Sequence, residues 1–252
     1  MHNQEYYFNL LYTNSAKIQL TFQILPIIVG IWQRKYLNKP LRIFLTFYCC
    51  AFLANTLELL FVWAVDNYTS FWLPYIQYWK IDSTNFIAII NYLANFGIMG
   101  WYFTLVFKSQ TLSNGIKILS FILFLSALIN YMFIEGYNVF GIFNPLMDAL
   151  YSIFIPLIFM WILYNQLESK VPITKNSYFW VNLRFIVPNL IGLFLFFAGD
   201  KIYKTDFVLF VKISIVKTLF FIIGHLFAVL AFYYARYTKY LPQKTTAPLA
   251  PQ

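Results

Sequence analysis

Charge, histidine and cysteine are all scarce in this chain. Only 11% of its residues are charged, whereas 61% are hydrophobic and 22% aromatic. Soluble globular domains carry roughly 25% charged residues, so the composition argues against a soluble fold. Just His2 and His225 are present, too few for the histidine-rich sites of membrane di-iron oxygenases, haem-bridging cytochromes or zinc hydrolases. Cys49 and Cys50 adjoin inside an apolar segment, a spacing that suits neither a disulfide framework nor a metal site. No cofactor is expected. The aspartates Asp66, Asp82, Asp148, Asp200 and Asp206 all read as lying at the edges of apolar segments, which leaves no intramembrane carboxylate pair. There is also no phosphate-binding glycine loop and no strained turn for a nucleophile. These absences predict a protein that is not an enzyme.

What the sequence does have is long apolar runs. Seven occur, near Ile18 to Trp32, Phe44 to Ala64, Phe86 to Phe107, Ile116 to Phe133, Ala149 to Tyr164, Phe179 to Phe197 and Ser214 to Tyr233. A helix of about 20 residues, rising about 1.5 Å each, matches a hydrocarbon layer of about 30 Å. The expected fold is therefore all-α, a polytopic membrane protein with seven transmembrane helices. Residues 1–240 are expected to form one seven-helix transmembrane domain and 241–252, with three prolines and two threonines, a disordered cytoplasmic tail.

The formal net charge of +9 would suggest nucleic acid in a soluble protein. Here the cations sit singly between apolar runs, so the lipid bilayer is the partner they imply and nucleic acid is not. Arg34, Lys35, Lys39, Arg42, Lys108, Lys117, Lys170, Lys175, Arg236, Lys239 and Lys244 fall on alternate connections. Lys17, Lys80, Lys201 and Lys204 fall on the others. That bias predicts an external amino terminus and a cytoplasmic carboxyl terminus. The connection from Asp66 to Asn85 holds Trp72, Tyr75, Tyr78 and Trp79, which suit a short helix at headgroup level. Pro26, Pro156 and Pro188 interrupt spans, and short matches between the first three and last three spans suggest an internal repeat of the kind transporters use.

Ionisable groups inside apolar runs point to function, because each costs at least about 2.5–3.5 kcal/mol near a bilayer centre unless partnered or hydrated. Glu58 and Lys217 come out at about 21 and 24 Å from the cytoplasmic edge when each residue contributes about 1.5 Å. Asn91 and Asn95 share a helix face at i, i+4 spacing, and Asn55 shares one with Glu58. The predicted polar core is thus Glu58, Lys217, Asn91, Asn95, Asn55 and Ser214, facing a cavity open to the outside. Two readings of it are open: a pocket for a small polar ligand, or a buried ion pair with amides bonding between helices. Arg184 reads as anchoring its helix to headgroups, with an inner gate as the alternative. His225 reads as a packed, hydrogen-bonded side chain.

Asn85, Tyr92 and Phe96 in the third span and Phe179-Trp180-Val181-Asn182 at the start of the sixth resemble patterns in a group of uncharacterised bacterial seven-helix integral membrane proteins. Where that group carries a histidine, a glutamate and a second glutamate, this chain has Asn91, Asn95 and Tyr151. The resemblance implies the seven-helix architecture and multi-pass residence in the bacterial inner (plasma) membrane. Taken together, these features predict a sensory or regulatory membrane subunit that binds a small polar ligand and contacts a cytoplasmic or membrane protein partner. A transporter or channel for a small solute, or a structural subunit of a membrane complex, are the alternatives.

Overall fold

The computed structural model describes residues 2–81, 84–137, 141–166 and 172–237. The expected tail at 241–252 lies outside them. Among the described residues the fold is all-helical, and seven helices are long and apolar enough to cross a membrane. Helix α1 covers His2–Trp32, α2 Lys39–Asn67 and the short α3 Thr69–Trp79. The third span is α4 (Asn85–Ala94), a π-helical turn (Asn95–Met99) and α5 (Gly100–Val106) in sequence. The fourth is α6 (Gln110–Ile129), which also ends in a π turn (Asn130–Ile134). Helices α7 (Phe143–Gln166), α8 (Ser177–Thr205) and α9 (Phe207–Tyr234) complete the bundle.

Short polar residues start these helices where apolar runs begin. The side chains of Asn38, Ser109, Asn176 and Asp206 accept from the backbone N–H of Leu41, Leu112, Tyr178 and Leu209. Each satisfies a donor that the first helical turn leaves open. Asp206 also separates α8 from α9 by a single residue, so these two helices must run antiparallel and in contact. The connection after α2 forms the short helix expected of it, and no residue of α3 is buried.

Neighbouring helices pack in sequence order, and α1 packs against both α2 and α9, which closes the ring. The buried core lies toward the end carrying Arg34, Lys39, Lys175 and Arg236, here the basic end. Leu41, Phe44, Tyr48, Met99, Tyr102, Phe103, Tyr178, Val181 and Phe232 are all at most 1% exposed. Their rings interlock across helices: Phe44 meets Phe232 at 5.3 Å, Phe47 meets Phe185 at 5.6 Å and Phe159 meets Tyr178 at 6.2 Å between centroids. At the opposite end the packing opens. No residue is buried from Asn55 to Asn67 of α2, from Asn189 to Ala198 of α8, or from Phe207 to Lys217 of α9.

Helices α8 and α9 are in tight contact at Gly224. A Cβ there would stand 2.7 Å from Pro188 Cγ and 3.2 Å from Arg184 Cδ. A proline ring cannot swing aside, so Gly224→Ala should separate the helices at a cost of about 1–3 kcal/mol, the usual range for overpacking. The purified protein should then unfold at a lower temperature in detergent; an unchanged midpoint would refute the contact.

Candidate functional site

Two of the predicted polar residues do meet. Asn91 Nδ2 donates to Asn55 Oδ1 at 3.0 Å, and Asn55 Nδ2 donates to Gln23 Oε1 of α1 at 2.9 Å. The others find different neighbours. Glu58 Oε1 accepts from the Thr84 hydroxyl just before α4. Lys217 Nζ lies 5.9 Å from the centroid of Phe221, one turn along its own helix. Ser214 donates to the Phe210 carbonyl of its own helix. Glu58 and Lys217 form no ion pair among the described residues, and the side chains bonded to Asn55 and Glu58 come from α1, from α4 and from the residue before α4.

Asn95 leads instead to a centre in the bundle interior. It opens the π turn of the third span and is 4% exposed. Its Nδ2 donates to Asp148 Oδ1 at 2.6 Å and to Ser152 Oγ at 2.7 Å, both on α7. The carboxylate fixes this amide orientation, since an oxygen turned toward it would be repelled. Asp148 therefore does not sit at a segment edge, as its sequence position suggests. Helix α7 begins at Phe143 rather than Ala149, which carries Asp148 more than a turn inward. A signal for this was present: Asn144, Asp148 and Ser152 recur every fourth residue and so share one helix face.

Arg184 is the centre's cation. Its Nε donates to Tyr48 Oη, and its guanidinium carbon lies 5.6 Å from the Tyr48 ring and 5.6 Å from the Phe185 ring. It thus turns into the bundle rather than toward headgroups, which corrects the anchoring expectation. Tyr48 accepts from Arg184 and also shares a hydrogen bond of 3.4 Å with His225 Nδ1. His225 is 3% exposed, the packed, hydrogen-bonded state expected of it. Arg184 and Asp148 are close enough for their charges to interact, yet they form no ion pair among the described residues. Nearby, Ser120 and Tyr151 share a hydrogen bond of 2.8 Å across the α6–α7 contact.

Farther toward the open end, Glu135 clamps the turn between α6 and α7. It accepts from Asn130 Nδ2 at 2.7 Å and from the backbone N–H groups of Ile142 at 2.9 Å and Phe143 at 3.1 Å. A Cβ on Gly141 would come within 2.1 Å of its carboxylate, so a side chain there would push the carboxylate out of these bonds. The clamp borders a small open pocket lined by Tyr92, Tyr131, Glu135 and Asn144. Among the described residues no three histidine, cysteine or acidic side chains gather as a metal site would require.

Replacing Tyr48 with Phe should leave the Arg184 Nε–H without its acceptor and cost about 1–3 kcal/mol; an undiminished unfolding midpoint would rule that bond out. The clamp makes a pH prediction. Burial pushes the Glu135 carboxyl up, but the bonds from Asn130, Ile142 and Phe143 outweigh it and hold the group below the usual carboxylate range. A depressed value in the fold means stability present above the ordinary carboxylate pKa and lost as pH falls through the lowered one. Unfolding midpoints should decline on acidification through that window, and Glu135→Gln should remove this part of the decline.

No protein family model, no curated protein and no solved structure matches the chain.

Proposed function

We propose that the protein is a sensory or regulatory membrane subunit that binds a small polar ligand between its helices, at the centre formed by Asp148, Asn95, Ser152 and Arg184. The observation that carries this reading is an acid and a base held unpaired in the interior of an apolar bundle. Intramembrane charges are costly and are retained where they serve a ligand, an ion or a proton. The looser packing of the opposite end supports entry from that side, and the aromatic core beneath closes the basic end. The positive bias of the alternate connections supports an external amino terminus and a cytoplasmic carboxyl terminus. In that orientation the site opens outward and the basic loops face a cytoplasmic partner. The resemblance to bacterial seven-helix proteins supports residence in the inner membrane.

A transporter for a small solute is the second reading, favoured by the joint at Pro188 and Gly224 and by the π turn that begins at Asn95, a feature frequent at functional positions. Such points could let one half of the bundle rock against the other.

The two readings separate experimentally. The purified full chain, screened by thermal unfolding against a library of small polar metabolites, should be stabilised by at least one of them, and Asp148→Asn should abolish that shift. A binder that causes no flux in reconstituted vesicles supports the sensory role, whereas flux lost on Asp148→Asn supports transport. If nothing in the library shifts the midpoint, the centre serves packing and the protein is a structural subunit.

A further inference from the structure

Each charge of the interior centre keeps part of its bonding capacity unused. Asp148 accepts at Oδ1 from Asn95, and its Oδ2 has no hydrogen-bond partner among the described residues. Arg184 uses Nε for Tyr48, and its two terminal nitrogens have no hydrogen-bond partner among them either. The neighbouring Asn95 Oδ1 is buried and has no hydrogen-bond partner among the described residues. Next to the acid stands an amide oxygen that is buried, without a donor, and unable to turn away because its nitrogen is committed twice. Next to the base, by contrast, the available atoms are all N–H donors.

On the proposed binding role, we infer that the ligand is a small zwitterion, with an ammonium group on Asp148 Oδ2, beside the buried Asn95 Oδ1, and a carboxylate or similar acid on the terminal nitrogens of Arg184. The inference rests on that role and narrows its ligand class. The chemistry of the two subsites is opposite, with acceptors around the acid and donors around the base. A lone anion at Arg184 would enter the field of Asp148, and a lone cation at Asp148 would enter the field of Arg184. A zwitterion meets both while adding no net charge to a medium that penalises one. Tyr48 and Phe185 flank the guanidinium, so its planar fork is held by aromatic faces and suits an acid that accepts two bonds side by side.

Glycine, β-alanine and γ-aminobutyrate present the same two charges at increasing separation, while butyrate and butylammonium present one each. Each would be titrated into the full chain in detergent and read by thermal unfolding. One amino acid of the series should raise the midpoint saturably, with apparent affinity at least tenfold above both single-charge compounds. Asp148→Asn and Arg184→Gln should each weaken it at least tenfold. Butyrate or butylammonium binding as well as the best amino acid would overturn the zwitterion while leaving a polar-ligand site standing. No response to the amino acid series would also overturn it, and a response to some other solute in the wider library would show that only the ligand class had failed. Should a variant fail to fold, the comparison of amino acids with single-charge compounds on the unmodified chain decides alone.

Discussion

A guanidinium inside an apolar bundle imposes conditions on everything around it. By helical rise Arg184 stands about 10 Å from the start of α8. Its neighbours are arranged accordingly. Tyr48 gives it an acceptor, aromatic faces flank it, and Asp148 supplies a distant counter-charge. Gly224 is part of the same arrangement, because a side chain there would strike both the Arg184 stem and Pro188. The tight α8–α9 contact and the position of the charge are one constraint.

Packing changes along the bundle axis. Rings from α2, α5, α7, α8 and α9 fill the basic end, where Phe44, Tyr48, Tyr102 and Phe232 are almost wholly enclosed. The opposite halves of α2, α8 and α9 enclose nothing fully over long stretches. Between the two regimes lies the polar centre, with Asn95 and Ser152 on its acidic side and His225 near its basic side. Interhelical amide bonds such as Asn55 with Asn91 and Gln23 hold the looser region. Each of these is worth only about 0.6 to 2 kcal/mol in a membrane, far less than the ring packing below, so compliance is expected at the open end.

The fold was highly legible in the sequence, because a membrane solvent demands long apolar segments with their backbone bonds satisfied internally. All seven spans were found, with edges displaced by up to seven residues, the largest at the start of the last span. One displacement mattered. Starting α7 at Ala149 instead of Phe143 put Asp148 outside the bilayer, and with it the residue that organises the site. The pairing of Glu58 with Lys217 failed for a different reason: equal depth along two helices says nothing about azimuth, and α1 packs against both α2 and α9. Asn95 was correctly singled out, but its partners lay on a helix that hydropathy alone could not orient.

By itself, then, the sequence determined the class of protein, the number of crossings and the scarcity of catalytic groups, since these follow from composition and from apolar length. It also marked Arg184 and Asn95 as polar residues within apolar runs. Only the tertiary structure decided which faces meet: it turned Arg184 inward onto Tyr48, joined Asn95 to Asp148 and kept that acid from the base. Those outcomes depend on helix rotation and on close approach at single glycines, which a one-dimensional pattern of hydropathy does not encode.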